Sequence, residues 1–321
     1  MLFKALLPYP DALRRKNTTP SWNFLLGKIL AVLMRSMIST KSGEFFAKKR
    51  PVLLLGGAGR LGNVLRTHWP DEDDLVWQGR KATDALSIDI LAEPEALAEA
   101  AAGARAVICL AGITPAYAAR SGDALSLNVD LAMAAIRAAG PARVFLASSA
   151  AVYGAQAGRH CETDAVAPVS EYGAAKLQME QAGLELGDQL GTPVTNLRIG
   201  NVAGADAILG GWREGMMIDA VAGATPRRSY IGPVTLARVM AQLSVAEEVP
   251  QTLNIAAPGV VAMGDLLDAA GLAWQPRKAG PEVIQEVLLD TARLETIVKF
   301  APHERSAAGM VAQWRAKKEN V

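Results

Sequence analysis

The stretch from Pro51 to Trp69, PVLLLGGAGRLGNVLRTHW, restricts the fold more than any other part of this chain. A short apolar run is followed at once by glycines, and then by Leu61, Val64, Leu65 and His68 at helical spacing. This order predicts a buried strand, a tight turn and a helix that packs back on the strand. The glycines satisfy two overlapping patterns: Gly57, Gly59 and Gly62 form G-x-G-x-x-G, while Gly56, Gly59 and Gly62 form G-x-x-G-x-x-G. Either pattern lets backbone N–H groups and a helix N-terminus approach a pyrophosphate, so the turn is a candidate dinucleotide cradle. Such a fingerprint carries weight only between a strand and a helix, which is its setting here.

The alternation continues downstream. LVWQGR (Leu75 to Arg80), LSIDI (Leu86 to Ile90), ARAVICLAG and ARVFLASSA read as strands. Between them, EPEALAEAAAG reads as a helix with Pro94 early and Gly103 as its stop, and Asp123 to Ala139 as another that ends at Gly140-Pro141. Strands alternating with helices predict an α/β, Rossmann-type doubly wound parallel sheet. Ligands of such sheets lie at the carboxyl ends of the strands, where the glycine turn, Gly112 and Ser149 fall. Beyond Gly204 the pattern loosens: GWREGMMIDAVAG, VTLARVMAQLSVAEE, MGDLLDAAGL and the segment from Glu304 read as helices, and TLNIAAPG as a strand and turn. The expected organisation is a basic extension (1–50), an NAD(P)-binding domain (51–204) and a small C-terminal substrate lobe (205–321).

Composition bounds the function. Half of the 321 residues are hydrophobic and the net charge is +1, so the chain can bury a large core and has no bulk attraction for nucleic acid. The charge is uneven: residues 1–50 hold 10 Lys or Arg against 2 acids, leaving 23 against 30 elsewhere. The apolar stretch Phe24 to Ile38 is interrupted by Lys28 and Arg35 and is shorter than the ~20 residues of a membrane span. A segment lying on a membrane surface and a targeting peptide are two readings of this head. A disordered extension, or a true start at Met34, Met37 or later, is preferred. Cys109 and Cys161 cannot build a disulfide framework and suit a reducing cytoplasm, and three scattered histidines give no metal spacing, so no metal site is expected.

The chemistry concentrates between Ser148 and Lys176. Tyr172 follows Ser149 by 23 residues and precedes Lys176 by one helical turn, so phenol and ammonium share a helix face. A free phenol titrates near 10, too high for acid–base work at neutral pH. A neighbouring ammonium favours the phenolate, and a serine hydroxyl at the strand end could hold the substrate oxygen. The same spacing also describes a half-buried aromatic beneath a solvated cation, so the glycine turn upstream decides for the catalytic reading.

The second strand decides the cofactor. A strand of this kind that serves NAD ends in an acid for the ribose hydroxyls, whereas an arginine accommodates a 2′-phosphate. Here the end reads Gln78-Gly79-Arg80-Lys81, with Arg60 in the glycine turn as a further cation. NADP(H) is therefore expected, with NAD as the alternative and solvated surface cations as the plain one.

GGAGRLG, Asp89-Ile90, LAG (Leu110 to Gly112), Asn128-Val129, SSAAVYG, YGAAK and LRIGNVAG occur in one order along the chain. In that order they resemble the extended short-chain dehydrogenase/reductase superfamily, the NAD-dependent epimerase/dehydratase family, from about Pro51 to Gly204, with a fainter echo at Asn254-Ile255. The resemblance implies that Tyr172 is the acid/base and that Lys176 binds the nicotinamide ribose and lowers the tyrosine pKa. It implies that Ser149 bonds the substrate oxygen, and that Gly56, Gly59, Arg60, Leu61, Gly62 and Arg80 line the phosphate and adenosine side. Asp89 and Ile90 would flank the adenine, Leu110, Ala111 and Gly112 would line the cofactor, Asn128 would support the site, and Asn201 would touch substrate. Two departures stand out. Ala150 and Ala151 occupy the place where 4,6-dehydratases carry an Asp-Glu pair, and YIGPVTLARV (Tyr230 to Val239) lacks the acid that often contacts sugar or nucleotide. Arg213, Arg227 and Arg228 could hold a phosphate or carboxylate, or lie solvated on a lid.

The expectation is an NAD(P)-dependent oxidoreductase or epimerase, with reduction preferred, acting on a sugar-like small molecule, as a monomer or homodimer. A cofactor-binding sensor or assembly factor without turnover is the alternative, and the complete Ser149, Tyr172 and Lys176 set argues against it.

Overall fold

The structure, a computed structural model, describes residues 50–316. The expectations for the basic head fall on residues 1–49 and lie outside the described residues. Residues 50–316 belong to one compact unit.

Seven parallel strands make the central sheet: β1 (Val52–Leu55), β2 (Leu75–Gly79), β3 (Leu86–Ser87), β4 (Ala106–Cys109), β5 (Arg143–Ser149), β7 (Val194–Ile199) and β12 (Thr252–Ile255), in the order β12-β7-β5-β4-β1-β2-β3. Between β5 and β7 runs a short strand, β6 (Gly158–His160), outside this sheet. The order reverses at β1, which places a crevice between the ends of β1 and β4.

Both faces of the sheet are covered, as the continuous apolar runs require. In β1, Val52 and Leu54 bury against Val64 and Leu65 of α1 (Arg60–His68) and a cluster that includes Leu236 and Met240. Leu53 and Leu55 point the other way, into a core shared with Leu97 of α2 (Pro94–Ala102), Ala132 and Ile136 of α4 (Leu127–Ala139) and Met179 of α5 (Glu171–Leu190). A short helix, α3 (Pro115–Ser121), precedes α4.

Three elements differ from the sequence reading. LSIDI is a strand only over Leu86–Ser87, because the Asp89 carboxylate accepts from the backbone of Leu91 (3.0 Å) and Ala92 (3.0 Å) and turns the chain. The helix expected from Asp123 begins at Leu127, since Gly122 at φ +78° ends α3 and leaves a turn between the two. GWREGMMIDAVAG is not helical: Gly215 takes φ +75° and Met217–Ala220 becomes a strand, β9, paired with Gln275–Lys278. The chain also returns to the central sheet at β12, well past Gly204, so the sheet itself draws on both of the expected domains.

Candidate active site

The glycine turn bends between β1 and α1. Gly56 sits at φ +79°, and a Cβ there would lie 2.5 Å from the Ala111 nitrogen, so glycine alone lets the ends of β1 and β4 meet. A Cβ on Gly62 would lie 2.3 Å from the Gly56 oxygen, which is why helix and turn can pack so closely. Gly59 caps α1 without a side-chain bond, and no acid stands in the first turn. The first N–H groups of α1 thus keep their donors for an anion, which fits a dinucleotide pyrophosphate. Leu61 packs on the core behind the turn.

The end of β2 is more crowded than its sequence suggests. Gln78 is buried; its carbonyl oxygen accepts from the Gly56 N–H (3.0 Å), and its amide donates to the Gly79 (3.1 Å) and Ile88 (2.5 Å) carbonyls. Arg80 reaches across to α3 and donates to the Tyr117 hydroxyl (3.0 Å). That bond is the largest influence holding the Arg80 pKa above its ordinary value. No acid belongs to the strand, yet the following turn folds one onto it. The Asp84 carboxylate accepts from the Lys81 N–H (2.8 Å), and one of its oxygens lies 2.0 Å from where a Gly79 Cβ would stand. Asp89 is exposed and spends its carboxylate on its own turn, while the Ile90 side chain is buried in the core.

Across the crevice, β4 leads into Leu110, Ala111 and Gly112. Asn128, buried on α4, holds this loop: its oxygen accepts from the Ile113 N–H (3.2 Å), and its nitrogen donates to the Ile113 (3.0 Å) and Leu125 (2.8 Å) carbonyls. Its polar atoms are committed to backbone, so it supports the loop from behind. A Cβ on Gly112 would meet the Asn128 oxygen at 2.6 Å and the Lys176 Nζ at 3.3 Å.

Ser149 ends β5 and accepts from the Ala151 N–H (3.2 Å), capping the 3-10 turn Ala150–Tyr153. Its O–H remains a donor. Ser170 caps α5 by accepting from the Gly173 N–H (3.0 Å), and this start delivers Tyr172 and Lys176 from successive turns. Burial raises the Tyr172 pKa above the usual phenol value; a hydrogen bond with Ser149 and the charge of Arg60 act against the rise. The sequence reading gave that second role to Lys176. The structure turns the ammonium elsewhere: Nζ donates to the Ala147 carbonyl (2.7 Å) and stands 5.9 Å from the centre of the Tyr172 ring. Lys176 is buried, and the loss of solvent pulls its pKa down to about 8 against the opposing pull of Cys109 and Glu180. Cys109, wholly buried beside it, is pushed up to about 11.

Arg60 thus faces two ways. It belongs to the glycine turn, acts on Tyr172, and donates to the Ala205 carbonyl (3.3 Å) in the loop after β8 (Asn201–Val202). Asn201 lies in β8, directly past the end of β7, and β8 pairs with β11 (Tyr230–Ile231). The loop keeps its shape through Asp206, which accepts from the N–H groups of Gly204, Ile208, Leu209 and Gly210 and from the Tyr230 hydroxyl. Arg227 and Arg228, in β10 (Arg227–Arg228), are engaged within the protein. Arg227 pairs with Glu286, and Arg228 donates to the carbonyls of Arg227 (2.8 Å) and Ile284 (2.9 Å). Arg213 is exposed.

Beneath the site lies a buried polar network that the sequence reading missed. Ser148 donates to Glu180 (2.5 Å), and Arg198 of β7 grips the same carboxylate through Nε (3.1 Å) and Nη2 (2.8 Å). Arg198 also donates to the Tyr153 hydroxyl (3.1 Å) and the Glu162 carbonyl (3.2 Å), and its guanidinium stands 4.9 Å over the Tyr153 ring. The spacing of Tyr172, Lys176 and Glu180 at every fourth residue was the available signal.

Known proteins bear on this arrangement. The profile of the NAD dependent epimerase/dehydratase family matches residues 52–238, more than half of the chain. Among solved structures, TunA, described as an NAD dependent NDP-hexosamine 5,6-dehydratase involved in tunicamycin biosynthesis, superposes with a TM-score of 0.67 at 17% identity, covering 85% of this chain and 99% of its own. UDP-glucuronic acid 4-epimerase from Bacillus cereus, in complex with NAD, gives 0.67 at 16% identity over 84% of this chain and 97% of its own. MoeE5, in complex with UDP-glucuronic acid and NAD, gives 0.66 at 21% identity over 84% and 100%. At these identities the structures speak for the fold. No curated protein matches the sequence. The profile match, on a doubly wound sheet whose carboxyl edge carries the glycine turn, Ser149, Tyr172 and Lys176, places the chain in the NAD dependent epimerase/dehydratase family.

Proposed function

We propose that this chain is an NADP(H)-preferring oxidoreductase that transfers a hydride at a hydroxyl or carbonyl carbon of a sugar derivative, with epimerisation as the variant in which the hydride returns to the opposite face. The observation that carries the proposal is the convergence of Ser149, Tyr172 and Arg60 at the carboxyl edge of the sheet, with Lys176 one turn below. The dinucleotide would supply or accept the hydride. Gly56, Gly59 and Gly62 would admit its pyrophosphate, Leu110 to Gly112 would line it, and Lys176 would meet its ribose. Arg80 and Lys81 favour a 2′-phosphate at the end of β2.

Tyr172 suits the role of acid. Burial keeps the phenol protonated at neutral pH, and its bond with Ser149 and the charge of Arg60, which pull the pKa back down, ease the release of that proton to a carbonyl oxygen that accepts from the Ser149 O–H. Ala150 and Ala151 provide no carboxyl for a 4,6-elimination, and Asn201, just past the end of β7, would meet the substrate. The similar structures include an NDP-hexosamine dehydratase and a complex with UDP-glucuronic acid, so a sugar nucleotide is the first substrate class to try. The two free thiols suit a reducing cytoplasm.

Tyr172→Phe removes the proton and keeps the ring. Turnover is expected to fall by ~10²–10⁴-fold, while NADPH still raises the melting temperature as it does for the wild type. Turnover of any accepted sugar or carbonyl substrate at the wild-type rate would sink the assignment.

A further inference from the structure

Glu180 lies inside the protein, away from the crevice, and nothing in the acid–base chemistry uses it. It follows Lys176 by one turn of α5 and Tyr172 by two, and its carboxylate is almost wholly buried. Each oxygen is spoken for: Ser148 and the Arg198 Nε bond one, and the Arg198 Nη2 bonds the other. The three residues that end β5 are thereby fastened to α5 in order. Lys176 holds the Ala147 carbonyl, Glu180 holds the Ser148 hydroxyl, and Ser149 meets Tyr172. Three buried groups also form one charge set, in which a single carboxylate serves two cations, Arg198 and Lys176.

We propose that Glu180 is the positioning residue of this site: clamped between Ser148 and Arg198, it registers the end of β5 against α5 and sets a negative charge one helical turn from Lys176. The meaning of that charge for cofactor and substrate rests on the function proposed above; the charge itself can be read without either. The titratable groups facing Lys176 are Cys109 from β4, Glu180 from its own helix and the Tyr172 ring; its remaining neighbours, the Ala147 carbonyl and the Met179 sulfur, carry no charge. Cys109, pushed up to about 11 by burial, is a neutral thiol at neutral pH, which leaves Glu180 as the anion that offsets the burial of Lys176.

The test follows the Lys176 Cε resonance by carbon NMR in lysine-labelled full-length protein without cofactor, assigned by its absence in Lys176→Met. Glu180→Gln is expected to lower the Lys176 midpoint by about one pH unit or more, a tenfold loss in proton affinity. Ser148→Ala, which removes a bond and no charge, is expected to leave it in place. Since Glu180→Gln strands the Arg198 charge and could fail to fold, the double variant E180Q/R198M removes the ion pair as a unit and is expected to show a lowering in the same direction but smaller, because the Arg198 cation goes with it. A Lys176 midpoint equal to the wild type in either folded variant overturns the inference. NADPH titration of the same samples separates the two readings: a lowered midpoint in a protein that never binds NADPH would count against the proposed function alone.

Discussion

Lys176 shows how one buried charge carries a stability cost within the proposed site. A lysine titrates near 10.5 in water and is drawn to about 8 here because burial disfavours its charge. Below pH 8 both folded and unfolded chains hold the proton, and the native state bears the full cost of the buried ammonium. Between about 8 and 10.5 the native lysine releases its proton while the unfolded one keeps it, so the unfolded state binds more protons and stability rises with pH. The stability of the wild type relative to Lys176→Met is therefore expected to climb across that window and stay level beneath it, which denaturation midpoints from pH 6.5 to 10.5 would follow. A difference that stays level throughout would show that the native lysine is not depressed. Asp84 poses a comparable question of charge. Its carboxylate covers Gly79 at the very place where a 2′-phosphate would seek Arg80 and Lys81. Asp84→Ala is expected to enlarge the melting shift given by NADPH relative to that given by NADH, and Arg80→Ala to do the reverse. A ratio indifferent to both changes would remove the end of β2 from cofactor selection.

At the scale of elements, the strand–turn–helix of β1 and α1 was legible because each part has its own period, and its glycines have a steric reason visible in the structure. Gly62 makes that reason measurable. Alanine in a helix gains ~1 kcal/mol over glycine in propensity. Its Cβ would stand 2.3 Å from the Gly56 oxygen and 2.6 Å from the Gly57 Cα, both backbone atoms that cannot step aside, and overpacking of this kind costs ~1–3 kcal/mol. Gly62→Ala is expected to lower the melting temperature and to weaken the NADPH-induced shift, because the helix N-terminus moves off the cradle. Gly103→Ala, where a Cβ meets nothing within 4 Å, is the control that should do neither. Other features were hidden for reasons equally local. LSIDI has strand composition, and only the side-chain turn at Asp89 shortens it. Asp84 is five residues from Gly79 in sequence, and no periodicity says that a loop will lay its carboxylate over the strand. Glu180, despite its shared spacing with Tyr172 and Lys176, and Arg198 were missed because an acid on a helix and an arginine in a strand are solvated by default; it takes the packing of α5 on β5 and β7 to make them a buried pair.

Across the whole molecule, the site depends on residues far apart in sequence, and Asn254 is where they are tied. It lies on β12, the outermost strand of the sheet, yet it is fully buried. Its amide nitrogen donates to the carbonyls of His160 (2.9 Å) and Asp290 (3.0 Å), its oxygen accepts from the Tyr153 hydroxyl (2.8 Å), and its backbone N–H donates to Glu162 (2.9 Å). One side chain thus joins the excursion between β5 and α5 to the strand that closes the sheet and to the segment that follows it. In Asn254→Ala the Tyr153 proton can turn to the Cys161 carbonyl, 3.1 Å away, so that group finds another partner. The His160 carbonyl keeps the Asp290 N–H (2.8 Å), so the half-buried Asp290 carbonyl is the group left without the donated bond, and at ~1–3 kcal/mol for an orphaned group the loss is about 1–3 kcal/mol. For a unit of this size a kcal/mol is worth ~2–4 °C, so the melting temperature is expected to fall by roughly 2–12 °C. Asn254→Asp should fare no better although it keeps an acceptor for Tyr153, because it loses both donated bonds and sets a second carboxylate beside Glu162. If aspartate instead restored the stability that alanine lost, the donated bonds would not be what holds β12 to the site.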